Sequence, residues 1–262
     1  GIISLFMVVV IHEFSHGVVA RAYNIPVKSS GFVLFGPLPG AFVEPDEKKL
    51  RKQPNKVQNS IFSAGPFSNV LTAIVIIILF LAVIGPIFSN AFTPVGIAFT
   101  KVDEGQPAEK AGVKTGEIYT VINGKQVKDS SEFIQALKDL KPGDEVSIGN
   151  DEQSYAITAT SRKEQPEKGY LGVHVTTRYY NDQGLGFQLF SMLVEFLNWI
   201  YILSLGLGLA NLLPLGPIDG GRMFQLLMHK HFGAEKGNRF WAHISFLLVA
   251  LLLILIVMPI IK

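Results

Sequence analysis

The sequence predicts an α-helical membrane protein with four transmembrane helices, a membrane-associated β-loop and an inserted α+β domain, and three observations predict it. The 262 residues are 48% hydrophobic and only 17% charged, with a positive mean hydropathy. No charged residue lies between Lys56 and Lys101 or between Arg239 and Lys262, and both stretches are long enough for apolar helices that cross a bilayer. Residues 101–168, in contrast, are dense in Lys, Asp and Glu, as a water-facing insert must be. The division gives a first membrane part at 1–90, an inserted domain at 91–176 and a second membrane part at 177–262. A scattered formal net charge of +2 and the lack of a Gly-rich phosphate loop argue against nucleic acid as a partner. With no cysteine, neither a disulfide nor a thiolate metal site can form, so any zinc must be held by His and carboxylate groups.

The first helix is expected from Ile2 to Tyr23, ended by Asn24-Ile25-Pro26. Inside its apolar run stands His12-Glu13-Phe14-Ser15-His16. Residues four apart share a helix face, so both imidazoles can bind one metal ion with Glu13 beside them as a base. At ~1.5 Å per residue His12 lies ~15 Å below the helix start, in the middle of a ~30 Å hydrocarbon layer, where ionisable groups are costly and carry function. The run lacks a basic leader and is read as a span, not a signal peptide. Its abrupt start at Gly1 raises the expectation that further residues precede it.

Residues 27–47 alternate short β-favouring runs with Gly and Pro, notably Gly36-Pro37-Leu38-Pro39-Gly40, and read as a hairpin or re-entrant β-loop. A basic linker holding Lys48, Lys49, Arg51, Lys52 and Lys56 follows. The second span is placed at Gln58–Ile84; Gly65-Pro66-Phe67-Ser68-Asn69 near its start offers small residues for close helix contact and an amide at membrane depth. In the insert, a short helix within Gly105–Val113 closed by Gly, a strand at Ile118–Ile122, the turn Asn123-Gly124, an amphipathic helix at Ser131–Leu140 and strands near Glu145–Ile148 and Ser154–Thr160 are expected. Pro107-Ala108-x-x-Ala111-Gly112-Val113-x-x-Gly116-Glu117 with Ile122-Asn123-Gly124 resembles a PDZ domain, which implies binding of a peptide end or strand by edge addition. The third span is expected from Gly184 to Leu213, with Glu195 a solvated or paired residue near its interface. Pro214 and Pro217 then break the helix, leaving extended backbone that must be buried or line a cavity at membrane depth. Asp219, between Ile218 and two glycines, is the foremost carboxylate ligand there, with His229, His231 and His243 as alternatives. Residues 222–232 read as a surface helix and 240–261 as the fourth span.

Taken in order, His12-Glu13-Phe14-Ser15-His16, Gly65-Pro66-Phe67-Ser68-Asn69 and Asn211-x-x-Pro214-x-x-x-x-Asp219-Gly220 resemble the site-2 protease family of intramembrane zinc metalloproteases. The insert between the second and third spans matches the bacterial branch related to the sigma-E regulator protease. This resemblance implies one Zn2+ per chain held by His12, His16 and Asp219, Glu13 as catalytic acid/base, and Asn69 and Asn211 near substrate. It implies that Pro37–Asp46 is the family's β-loop. The substrates implied are transmembrane proteins such as membrane-anchored regulators, cleaved within or near the bilayer. A membrane zinc transporter would not need Glu13 or the insert, and an inactive scaffold would be expected to have lost a ligand.

Two further expectations are physical. The basic residues of 21–57 and 222–239 lie on one side of a four-span chain, which the positive-inside rule makes cytoplasmic, in the cell's inner or plasma membrane; the PDZ-like insert is then extracytoplasmic. An unwound substrate in a membrane needs backbone partners, so Gly40, Ala41, Phe42 and Val43 are expected to offer an unpaired strand edge beside the metal.

Overall fold

The computed structural model describes residues 1–261 apart from 163, 164, 181 and 183. The chain forms two compact units, one of residues 1–84 and 191–262 and the other of residues 85–190. Among the described residues, four helices are long and apolar enough to cross a membrane.

In the first unit, α1 (Ile2–Ala22) leads into strands β1 (Val27–Phe35) and β2 (Leu38–Pro45), a four-residue helix α2 (Glu47–Leu50) and the long α3 (Asn55–Leu79). The expected β-loop is an antiparallel hairpin pairing Phe35 with Leu38 and Ser30 with Val43. It runs along α1: an added Cβ on Gly17 would touch Val43 and Val27, while the Phe32 ring lies 5.3 Å from Phe6. Eleven helical residues and five strand residues both span about 16 Å, so β1 lies along the axis of α1 and runs in the opposite direction. Phe32 and Leu34 are 73% and 74% exposed, a face suited to lipid. The carboxylate of Asp46 accepts from Lys49 N–H and caps α2.

The helix α3 packs against α1 and begins three residues earlier than the sequence suggested, because Pro54 supplies a ready-made entry. It loosens into a π-helical turn at Phe80–Ile84, just ahead of Gly85-Pro86, where proline cannot continue the i→i−4 ladder. The third span, α7, has the range Leu185–Ala210, and its residues Ile200, Ser204 and Gly208 are buried. An added Cβ on Gly208 would lie 3.2 Å from Asn69 Cβ and Pro66 O, so α7 approaches α3 at the level of Asn69. Ser4 donates to the Phe196 carbonyl at 3.4 Å. Glu195 is therefore level with the start of α1, exposed, and accepts from Trp199. The last helix, α8 (Asp219–Ile261), is broken at Gly233, whose φ is +74°, which separates the expected surface helix from the fourth span.

The second unit opens with α4 (Gly85–Ala91) and continues through β3 (Pro94–Val102), α5 (Pro107–Lys110), β4 (Val121–Ile122), β5 (Lys125–Gln126), α6 (Ser130–Ala136), β6 (Glu145–Gly149), β7 (Ser154–Thr158), β8 (Thr160–Arg162), β9 (Gln165–Tyr170) and β10 (Val173–Tyr179). Strands β5-β4-β6-β7 form one sheet, β10 pairs with β3, and β8 with β9. Asp129 caps α6, and its apolar face closes a core of Ile97, Phe99, Tyr119, Phe133, Val146, Ile148 and Ile157. This is the α+β insert that the sequence predicts, with β3, β8, β9 and β10 added and the strand expected at Ile118–Ile122 reduced to Val121–Ile122. The helix expected at Ser131–Leu140 stops at Ala136, since Leu137 leaves helical geometry.

Candidate metal centre

His12 and His16 lie one turn apart on α1 and point at Asp219, the first residue of α8. His12 Nε2 is 3.1 Å and His16 Nε2 3.2 Å from Asp219 Oδ2, and the two ring nitrogens are 3.2 Å apart. Ligands held ~2.0–2.1 Å from a tetrahedral ion stand about 3.3 Å from one another, so the three atoms fit such an ion. His229, His231 and His243 stand outside this cluster; His229 instead meets Asn238 at 2.7 Å, and His243 Nδ1 donates to the Arg239 carbonyl.

Local backbone chemistry explains how residues 207 positions apart meet. The chain leaves α7 at Ala210, turns through the two prolines, and is closed when Gly220 N–H donates to the Asn211 carbonyl at 2.6 Å. Ser245 secures the loop by accepting from Gly216 N–H and donating to the Pro214 carbonyl. An added Cβ on Gly220 or Gly221 would collide with the backbone of Leu212, Leu213 or Leu215. Two glycines are thus required for the turn that aims Asp219.

Each imidazole is also held from behind. His16 Nδ1–H donates to the Ile61 carbonyl at 2.7 Å, in the turn where Pro66, within α3, cannot donate to Phe62. The Asn69 side-chain amide lies 3.1 Å from His12 Nδ1. If Nε2 faces an ion, Nδ1 carries the proton and must donate, so Asn69 must present Oδ1, an atom with no partner among the described residues. Asn69 is fully buried behind His12 and is absent from the lining of the cavity in front of it. Gly65 faces the ring nitrogens: an added Cβ would sit against His12 Nε2 and 2.5 Å from His16 Nε2. In sequence alone Gly65 signals only close helix contact.

A cavity of about 370 Å³ opens in front of the cluster, lined by Glu13, Val43, Glu44, Glu47, Asn211, Asp219 and Arg222 among others. Glu13 is adjacent to the ligands, and its Oε2 accepts from Val43 N–H at 3.1 Å. This corrects the expectation of an unpaired edge, because a carboxylate fills the donor at Val43. It also fixes the parity of β2. Neighbouring residues alternate sides, so Ala41 and Val43 face away from β1 together with Pro39 and Pro45, which lack N–H groups, while Gly40 and Phe42 face β1.

Residues 1–255 match the family described as Peptidase family M50. An uncharacterized protein of Methanocaldococcus jannaschii, MJ0971, is 30% identical over 246 residues, covering 92% of this chain and 60% of that protein. The zinc metalloprotease RasP of Shouchella clausii is 24% identical, over 88% of this chain and 65% of its own length. The chain thus spans about 60–65% of these relatives. Among solved structures, the PDZ domain of an SdrC-like protein from Listeria monocytogenes shows 27% identity over 30% of this chain and 86% of that domain, with a TM-score of 0.27.

Proposed function

The chain belongs to Peptidase family M50, and from that premise we propose that it is an intramembrane zinc metalloprotease that hydrolyses peptide bonds within or near the transmembrane segments of membrane proteins. The observation that carries the reading is the meeting of His12, His16 and Asp219 at 3.1–3.2 Å, inside apolar helices, with Glu13 alongside. One zinc ion per chain, bound by these three, supplies Lewis acidity that acidifies a water and polarises a scissile carbonyl. Glu13 takes the proton of the attacking water and returns it to the leaving amine. Asn69 and the Ile61 carbonyl hold the two rings in their ligating orientation, and Asn211 lines the cavity that receives substrate.

The substrate must arrive as extended chain, since a helix keeps its carbonyls occupied. On this reading it adds to the side of β2 that faces away from β1, where Ala41 supplies the open donor, Val43 N–H is taken by Glu13, and Pro39 and Pro45 end the edge; Gly40 and Phe42 support the strand from the β1 side. Val43→Pro removes the N–H that holds the Glu13 carboxylate, so cleavage should fall with zinc content unchanged, whereas Phe42→Pro should act by lowering hairpin stability. The positive-inside rule places Arg21, Lys28, Lys48, Lys49, Arg51, Lys52 and Lys56 with Arg222, Lys230, Lys236 and Arg239 in the cytoplasm. The PDZ-like insert is then extracytoplasmic, where it binds a peptide or strand; protease protection in sealed vesicles reads this directly. The deciding test incubates the detergent-purified chain with a single-span substrate, with and without chelator. Chelator-sensitive cleavage is expected, and zinc bound without any cleavage would point instead to a transporter or scaffold.

A further inference from the structure

The cavity at the metal centre shares a wall with a second cavity of about 520 Å³, and the residues common to both are Glu47, Leu50, Phe62 and Arg222. Arg222 lies one helical turn beyond Asp219, so both line the same cavity. The other charged residues on that lining are Glu13, Glu44, Glu47 and Asp219, all acids, which leaves Arg222 as its cation among the described residues, the two imidazoles aside. Its guanidinium sits over the Phe62 ring at 5.5 Å and meets Glu47 at 3.6 Å, the two side chains being 45% and 48% exposed. A long, half-solvated ion pair of this kind is weak and exchanges readily.

Glu47 has a second partner: its Oε2 accepts from Arg51 at 3.0 Å. Releasing Arg222 would therefore leave Glu47 paired, and Arg222 would be free to meet another carboxylate. Hydrolysis of a peptide bond creates one at that place, in a cavity otherwise lined by negative charge. The geometry points to Arg222 as a product-carboxylate site: it exchanges Glu47 for the new C-terminal carboxylate of the cleaved chain and draws it across the shared wall into the second cavity. This rests on the proteolytic reading for its ligand. Guanidinium suits the role because its planar fork matches a carboxylate.

Binding tests the inference without turnover. Fluorescent apolar hexapeptides ending in a free carboxylate, or in the corresponding amide, are titrated onto the zinc-loaded Glu13→Gln chain by anisotropy. The acid should bind at least tenfold more tightly than the amide, and Arg222→Gln should remove most of that preference while zinc content and melting temperature hold. Arg222→Lys, which keeps the charge, should retain part of it and covers the case in which the glutamine variant does not fold. Glu47→Gln gives the distinctive sign: removing the competing carboxylate should strengthen acid binding several-fold and leave amide binding unchanged. An acid preference that survives both Arg222 substitutions would overturn the proposal, as would weaker acid binding in Glu47→Gln, which marks the pair as a structural tie. A chain that shows the Arg222-dependent preference but cleaves no membrane substrate would defeat the proteolytic reading and leave the carboxylate site standing.

Discussion

In the unit of residues 85–190 the buried set is Ile97, Phe99, Tyr119, Phe133, Val146, Ile148, Ile157 and their apolar neighbours, whereas in the unit of residues 1–84 and 191–262 it includes Ser4, His12, His16, Gln58, Asn69, Ser204 and Ser245. That unit buries small apolar clusters around Ile25, Leu50 and Ile61 and around Val8, Ile76 and Ile200, but leaves many large apolar side chains, such as Phe14, Ile78 and Leu253, exposed. Each arrangement follows from its solvent. Water drives apolar surface inward, at roughly 1.5–3 kcal/mol for each fully buried Phe, Ile or Leu. Lipid gives no such drive, so helices associate through close packing and polar contacts, and a polar interior can be spent on chemistry. The metal centre thus sits in a polar interior between two small apolar clusters, where the insert has one continuous hydrophobic core.

The comparison breaks most visibly at Glu13. Glu13→Gln keeps the size and the Val43 contact but cannot shuttle a proton, so turnover should drop by roughly 10²–10⁴-fold with zinc still bound. Retained cleavage would show that the polar interior is structural. The next largest effect belongs to the insert: Phe99→Ala empties a fully buried site and should cost about 3–5 kcal/mol in stability, measured by hydrogen exchange across β3, while zinc content stays constant. Loss of zinc in that variant would mean that the two interiors are coupled. Third, Asn69→Ala deletes the partner of His12 and should weaken zinc binding by roughly 10–100-fold, read by competition with a chelator; an unchanged affinity would return Asn69 to a packing role.

Much of this contrast is legible in the chain, for different reasons in each unit. The two imidazoles lie four residues apart on one helix, so local periodicity brings them together. Asp219 needs the Gly220 and Gly221 turn, which sequence can suggest because two prolines and two glycines flag irregular backbone. The roles of Gly65, the Ile61 carbonyl and the Glu47–Arg222 pair are set by which faces of α3 and α8 meet α1 and α2, and no local pattern encodes that. The insert is least legible in sequence at β3 and β10. Their pairing spans about 70–85 residues, from Val173 opposite Val102 to Tyr179 opposite Pro94, and non-local pairing leaves a weak local signature. The short α6 has a similar cause: Leu137 and Leu140 pack on the core from outside helical geometry.

The smallest effect lies where the insert does use charge, at its surface. Asp103 accepts from the Tyr170 hydroxyl at 2.7 Å and pairs with Lys101 at 3.0 Å, and His174 lies 3.3 Å away. The Tyr170 hydroxyl first, and then Lys101, hold its carboxyl at about 2, below the ordinary 3.8. A carboxylate with a depressed value in the folded state gives stability that is present above its unfolded value and is lost as pH falls through the folded one. The window for Asp103 is therefore pH 3.8 down to about 2. Asp103→Asn cannot ionise, so it should be slightly less stable than the natural chain at pH 7, and the gap should close between pH 4 and 2 as Asp103 takes up its proton. The magnitude must be modest, because the group is solvent-screened. Exchange of β3 amides at several pH values in both chains isolates it, since all other acids are common to the two. A gap independent of pH would show that Asp103 acts through shape, and the insert would then owe nothing measurable to charge.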